Sequence, residues 1–147
     1  MSAETHDVDL LQGVAELLAA EEVGLYSPSA ALPAGSTGIV LGRVPDGPDR
    51  VIGLTPYPVA DDDSTDAVTG IQARMRAGTS PLEVVQLAND VFTVLHNRRS
   101  YDARGVRVEI SWRNSQAWIG QDSRGREELT ANYYFRTLRA GSPHLND

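Results

Sequence analysis

The sequence predicts an α+β fold, in which an antiparallel or mixed β-sheet of about five to six strands carries two helices packed on one face. Two segments place apolar residues at the helical period of 3.6, and several others alternate or stay apolar over the length of a strand. Most of the strands follow one another through short connections. This order favours an antiparallel or mixed sheet over a doubly wound parallel one.

The first helix is predicted over residues 7–23, because leucine and valine recur there at helical spacing. Gly13 weakens this helix slightly, and Gly24 is placed to end it in a left-handed cap. Residues 25–38 are rich in proline, serine and alanine. They are expected to form a loop with at most a two-residue strand at its start.

Two apolar runs, residues 39–43 and 51–57, predict a β-hairpin. The sequence Pro-Asp-Gly-Pro at residues 45–48 joins them, and these residue types favour a turn. Pro56 and Pro58 cannot donate to a β-ladder. The second strand is therefore expected to end there or to lie at a sheet edge.

A polar loop follows, with four aspartates at Asp61, Asp62, Asp63 and Asp66. Adjacent carboxylates could hold a hard cation, but the loop lacks the spaced ligands and the glycine of a calcium-binding loop. The favoured interpretation is a solvated or partner-facing acidic loop. No metal or other cofactor is expected.

The central element is a helix predicted over residues 80–96. Ser80, Pro81 and Glu83 have the pattern of a capping box with proline at the first helical position. Apolar residues cover most of the helix circumference and leave one narrow polar stripe. Such a helix is expected to be covered on more than one side.

Strands are predicted on both sides of this helix, over residues 67–76 before it and over residues 106–113 and 129–138 after it. The segment 106–113 alternates without exception. Its apolar residues are therefore expected on one face: Val106, Val108, Ile110 and Trp112.

The remaining polar segments, residues 97–105 and 120–126, are expected to be loops, and a further loop is expected to carry Trp118. Residues 140–147 are predicted to form a flexible tail. At 147 residues the chain is expected to be one domain, residues 1–147, with its core over about residues 7–139.

Composition excludes several classes of function. The chain has no cysteine, which excludes disulfides and thiolate metal sites, and its net charge of −7 argues against a general nucleic-acid binder. It has no signal-peptide pattern and no run of eighteen apolar residues. We therefore expect a soluble protein made in a cytoplasm, with no membrane partner.

The charge is divided unevenly along the chain. Residues 1–66 hold twelve acidic residues and two arginines, a charge of −10, whereas residues 67–147 hold eight and eleven, a charge of +3. This division is compatible with head-to-tail pairing of identical copies, and two differently solvated faces explain it equally well.

The sheet face opposite the helices is expected to carry arginine. Together with Trp118, which stands outside any periodic run, these side chains are the candidate interface with another subunit or partner. The arginines are Arg74, Arg76, Arg107, Arg113 and Arg136.

No catalytic constellation is apparent, and no catalytic residue is predicted. His6, His96 and His144 share no metal-ligand spacing, and no serine lies in a nucleophile-elbow pattern. The stretch 35–38 lacks the lysine of a phosphate-binding loop. One enzymatic alternative stays open, a small-ligand or metal-dependent enzyme that uses the 61–66 loop with the sheet arginines.

The order and spacing of several segments resemble the tail terminator or minor capsid protein family of long-tailed (siphovirus) actinobacteriophages. The resemblance extends over roughly residues 8–138. It is carried by Gly-Ile-Val-Leu-Gly-Arg at 38–43, the run 49–59, Gly-Ile-Gln-Ala-Arg at 70–74, the two helices, and 120–126 leading to Asn-Tyr-Tyr at 132–134.

This resemblance implies a structural virion protein without enzymatic activity. It implies a tail terminator, which forms a homo-oligomeric ring, usually a hexamer, on the head-proximal end of the tail tube. The ring stops tube polymerisation and offers a surface for head joining. A neck or head-completion (minor capsid) role is the nearest alternative.

The implied partners are the tail tube protein and a neck or head-completion protein, with DNA only passing through the lumen. The implied location is the tail and neck junction of a virion assembled in the host bacterial cytoplasm. With this function, Asp61, Asp62, Asp63 and Asp66 become the candidate lumen or rim loop.

Overall fold

The computed structural model describes residues 5–27, 31–139 and 144, and residues 140–147 of the predicted tail lie, apart from 144, outside this range. Two helices and seven strands occur in the described chain. Their order is α1 His6–Ala20, β1 Leu25–Tyr26, β2 Thr37–Leu41, β3 Arg50–Asp61, β4 Asp66–Arg76, α2 Pro81–Leu95, β5 Arg98–Ala103, β6 Val106–Gln121 and β7 Glu127–Leu138. The α+β prediction is confirmed, with slightly more strands than expected.

The strands form one mixed sheet in the order β1-β2-β3-β4-β7-β6-β5. The pairs β1–β2 and β2–β3 are parallel, and the other pairs are antiparallel. Helix α2 packs on the central strands β4, β7 and β6, whereas α1 contacts strands at both ends of the sheet. The sheet therefore curls around α1, and both helices share one hydrophobic core.

Helix α1 ends three residues earlier than predicted, and the proposed role of Gly24 is wrong. Glu22 takes the left-handed conformation instead, with φ of 63°. The amide groups of Glu22 and Val23 donate to the carbonyls of Ala19 and Leu18, at 3.0 Å each, which is a Schellman cap. Glycine is needed at position 24 for a steric reason. A Cβ there would lie 2.8 Å from the Thr37 carbonyl oxygen, which is too close.

The predicted hairpin of residues 39–43 and 51–57 is wrong. Strands β2 and β3 pair in parallel, from Thr37 opposite Arg50 to Leu41 opposite Leu54. Residues 42–49 therefore carry the chain back along the sheet instead of making a tight turn. We call this segment the crossover.

Two buried arginines hold the crossover in place. Arg76 donates to the backbone carbonyls of Pro48 at 2.7 Å and Asp49 at 3.0 Å. Arg126 donates to the carbonyl of Asp46 at 2.7 Å and to the Asp49 carboxylate at 3.0 Å. Arg76 lies 27 residues from Asp49, and Arg126 lies 80 residues from Asp46. No local sequence pattern therefore predicts the crossover.

Strand β3 continues through Pro56 and Pro58 to Asp61, beyond its predicted end. Its pairing with β2 stops at Leu54, so the following residues have a neighbour only on the β4 side. The two prolines thus lie at a sheet edge, which was the alternative expectation.

Strand β5 replaces the loop that was expected over residues 97–105. It joins β6 through a two-residue turn at Arg104 and Gly105, whose φ angles are 52° and 88°. Two left-handed residues in succession are typical of a type I′ hairpin turn. The usual Asn-Gly or Asp-Gly signal is absent from the sequence, which explains the wrong prediction.

Strand β6 is twice as long as predicted and includes Trp118, which was expected in a loop. Its pairing with β7 shifts register between Val108 and Ile110, and again at two later points. The first β-bulge exchanges the two faces, so that Ser111 becomes buried. The prediction that Ile110 and Trp112 share a face with Val108 is therefore wrong.

Candidate functional site

The four outward-facing arginines of the sheet differ in what they contact. Arg74 binds Glu128 through Nη2 and Nε, at 2.8 Å from one carboxylate oxygen. Arg107 and Arg136 are exposed. Arg76 is only 4% exposed, because the crossover covers it. The expected exposure of Arg76 is therefore wrong, and the interface role of the other three stays a prediction.

A polar cleft of about 510 Å³ is lined by a cluster of arginines that includes Arg74, Arg76 and Arg126. Burial, together with the neighbouring Arg126, lowers the pKa of Arg76. Burial also opposes the charge of Arg126, but hydrogen bonds to Asp122 and Asp49 outweigh it and raise the pKa of Arg126. Both guanidinium groups already bind acceptors within the chain, so the cluster stabilises the crossover.

The aspartate loop and Arg136 were predicted separately, and they line one groove. This groove of about 420 Å³ is formed by Asp61, Asp62 and Asp66 together with Glu109 and Arg136. Carboxylates outnumber the single arginine, so the groove is acidic. We refer to the exposed residues at this tip of the sheet as the acidic end: Val59, Asp61, Asp62, Asp63 and Asp66.

Asp62 has a structural function within the acidic end. Its carboxylate accepts hydrogen bonds from the Ser64 amide at 2.8 Å and from the Ser64 hydroxyl at 2.7 Å. These bonds lower the pKa of Asp62. No group of three or more His, Asp and Glu side chains in the described ranges has the arrangement of a metal site.

Arg113 lies on the other side of the sheet from the face where it was predicted. After the bulge, Arg113 and Trp118 pair with Tyr133 and Leu129, whose side chains belong to the core beneath the helices. Directly opposite residues of antiparallel strands share a face. Arg113 and Trp118 therefore lie on the side of the sheet that carries α2.

The C-terminal end of α2 contacts this half of β6, and the chain just before α2 is bonded to β7, the strand that pairs with β6. At the end of α2, the Ser111 hydroxyl donates to the Leu95 carbonyl at 2.7 Å, and the Arg113 guanidinium lies 4.2 Å from the centroid of the Phe92 ring. Just before the start of α2, the Gly78 carbonyl accepts from the Glu127 amide at 3.1 Å. Glu127 in turn pairs with the end of β6.

The outer side of α2 and the adjacent half of β6 form an apolar surface that this chain leaves uncovered. Leu82 is 77% exposed, Trp118 is 50% exposed and Val85 is 44% exposed. We call this the α2–β6 surface: Leu82, Val85, Asn89, Phe92, Arg113 and Trp118. The sequence predicts Trp118 as an interface residue because it stands outside any periodic run.

Sequence reasoning missed Leu82 and Val85 as surface residues, although the signal was present. Apolar residues around most of the α2 circumference indicated a helix covered on several sides. Within the described chain α2 is covered on one side only, and its remaining apolar side faces solvent. An exposed apolar helix side next to an exposed tryptophan is typical of an interaction surface.

Comparison with known proteins agrees with this picture of an assembly protein. Residues 17–139 match the family model described as bacteriophage tail terminator protein. A chain from the virion of a native gene transfer agent (GTA) particle has a similar fold, with a TM-score of 0.53 and 15% sequence identity. The match covers 67% of this chain and 78% of that chain.

Two further results are negative. No curated protein sequence matches the chain. Among the helices of the described residues, none is long and apolar enough to span a membrane.

Because the family match covers most of its length, the chain belongs to the bacteriophage tail terminator protein family and is a structural protein of the phage tail.

Proposed function

We propose that the chain is the tail terminator of a long-tailed actinobacteriophage. Six copies form a closed ring on the head-proximal end of the tail tube, stop tube polymerisation and provide the surface to which the head is joined. The match of residues 17–139 to the tail terminator family carries this proposal.

Three features of the molecule support assembly into a ring. The α2–β6 surface leaves apolar side chains in water, which favours burial against another protein. The two halves of the chain carry opposite charge. The acidic end and the α2–β6 surface lie at different places on the chain, so that one can face the other on a neighbouring copy.

The partners in this function are other copies of the chain, the tail tube protein and a neck or head-completion protein. DNA passes through the lumen of the ring without being gripped. Assembly takes place in the host bacterial cytoplasm, and the chain acts as a single domain.

Electron microscopy of particles from a host infected with a phage in which this gene is interrupted tests the proposal. A terminator predicts over-long tails of irregular length together with tail-less heads. Tails of normal length that fail to join heads would assign the protein to the neck instead. Intact infectious particles would overturn the structural function.

A further inference from the structure

The α2–β6 surface combines its exposed apolar side chains with an open strand edge. Strand β5 pairs with β6 only as far as Arg98 opposite Ser111. The Arg113 amide donates to His96 Nδ1 at 3.0 Å, and residues 114–121 of β6 pair on the β7 side alone. Every residue from Asn114 to Ile119 is exposed.

This edge carries two register shifts, between Arg113 and Ser115 and between Trp118 and Gly120, but it lacks the proline and the charged side chains that most often prevent strands from pairing with another chain. Residues 114–120 contain no proline and no charged side chain. The other open edges of the described sheet are protected. Strand β1 has two residues, β3 carries Pro56 and Pro58, and β5 is interrupted by Ser100 with φ of 54°.

Arg113 adds a charge to this surface. Its guanidinium donates to Gln116 at 3.2 Å and lies over Phe92, and no ion pair joins it to a carboxylate of the described residues. A partner that fits must therefore bring apolar side chains together with a carboxylate.

The acidic end of the same chain has this chemistry. Val59 is 38% exposed and is followed closely by the exposed carboxylates of Asp61, Asp62 and Asp63. Within one chain the two surfaces cannot meet. Asp66 is level with Leu138 of β7, whereas Arg113 is level with Tyr133 and Trp118 with Leu129. Five to nine residues of β7, about 17–30 Å, therefore separate the two surfaces.

We propose that the acidic end of one subunit docks on the α2–β6 surface of the next copy. Val59 packs near Leu82 and Trp118, and an aspartate of the acidic end pairs with Arg113. The contact joins two different surfaces, so repetition produces a ring when the rotation closes. This inference rests on the proposed ring and assigns its subunit interface.

Engineered cysteines test the contact cleanly, because the chain contains no cysteine. Val59→Cys and Val85→Cys place one thiol on each surface at exposed positions, and Val85 lies one turn of α2 from Leu82, near which Val59 is proposed to pack. The double variant complements the interrupted gene, and the purified particles are oxidised and run on a denaturing gel without reductant. We expect a ladder of covalent multiples that ends at the full ring.

Two matched controls accompany this experiment. Each single variant alone should give no ladder, since each subunit then has a thiol at only one side of the contact. The pair Val59→Cys with Ala20→Cys places the second thiol at the exposed end of α1 and should also give no ladder. Gln116→Cys, an exposed position on the same face of β6 as Trp118, replaces Val85→Cys if that variant fails to complement.

The outcomes separate this inference from the proposed function. Particles with normal tails but no ladder from either thiol pair, or a ladder from the Ala20 pair instead, would overturn the assigned interface while the terminator function stands. Intact particles from the uncomplemented phage would overturn the proposed function itself.

Discussion

Single residues in left-handed backbone conformations define the ends and turns of this fold. Glu22 closes α1, and Arg104 turns the β5–β6 hairpin, although neither is a glycine. A side chain in this conformation costs about 1–2 kcal/mol relative to the right-handed form. These positions carry strain that no sequence pattern marks.

Replacement of Glu22 by glycine should stabilise the protein. Glycine removes the left-handed strain, but it also raises the conformational entropy of the unfolded chain, which offsets part of the stabilisation. We therefore expect a net gain of about 0.5–1 kcal/mol in the free energy of unfolding. Urea denaturation followed by circular dichroism measures it. Ala20→Gly, in the last helical position of α1, is the control and should lower stability. An equal loss in both variants would contradict the Schellman cap.

The buried Tyr133 and the half-buried Tyr101 should make stability fall at high pH. Burial raises the pKa of Tyr101 and of Tyr133 to about 12, and the hydrogen bond to Ser111 opposes this only partly for Tyr101. Unfolded tyrosine ionises near pH 10. The stabilisation is therefore complete below about pH 10 and is lost as the pH rises through 12, because the unfolded chain releases these protons first.

Urea midpoints measured between pH 8 and pH 12 check this expectation. The Tyr133→Phe variant should show a shallower decline than the parent chain, since it lacks one of the two raised groups. The Tyr133 hydroxyl has no hydrogen-bond partner among the described residues, so its removal leaves no acceptor unpaired. A decline of the same steepness in this variant would show that Tyr133 does not contribute.

At the scale of elements, segments with a self-contained pattern were predicted well. Helix α2 has both its cap and its apolar period in its own sequence, and Ser80 caps it as predicted. The Ser80 hydroxyl accepts from the Leu82 amide at 3.3 Å, whereas a capping box uses the amide of the next residue, Glu83. Strands β4 and β7 also lie close to their predicted bounds. Their central position in the sheet buries alternate residues, so burial and pattern agree.

The bulge in β6 gives a direct test of an element. Val108 is fully buried, so Val108→Asp places an unpaired charge in the core and should abolish cooperative folding. Ile110 lies on the outer face opposite Arg136 and is half-buried. Ile110→Asp should cost at most about 1 kcal/mol and retain cooperative thermal unfolding by circular dichroism. Loss of folding in both variants would mean that the two residues share a face.

At the scale of the whole molecule, two of the five arginines predicted to form an exposed face of the sheet do not belong to that face. Arg76 is used internally, and Arg113 belongs to the helix side of the sheet. Arg74 is held by Glu128, which is itself nearly buried. Exposure of these side chains depends on which distant segments cover them, and the sequence pattern does not contain that information.

Leu82→Asp tests the α2–β6 surface in the assembled state. Leu82 is among the most exposed apolar side chains, so this change should leave the thermal midpoint of the free protein nearly unchanged. It should prevent ring formation, since a charge then faces the apolar contact. Particle yield after complementation and mass measurement of the purified protein check both expectations.

Val8→Asp is the matched control for this variant. Val8 is an exposed apolar residue of α1, 56% exposed, and it lies outside the α2–β6 surface. We expect this control to assemble normally. Equal assembly of the two variants would show that the exposed apolar side of α2 takes no part in the proposed ring.

The sequence by itself determined the fold class, the two helices, most of the strands and the resemblance to tail terminators, because periodicity and the order of elements are local properties. Only the tertiary structure decided the parallel β2–β3 pairing, the bulge in β6 and the burial of Arg76. These features depend on contacts between residues far apart in the chain, such as Arg126 with Asp46. They also placed the acidic end and the α2–β6 surface at separate positions along β7.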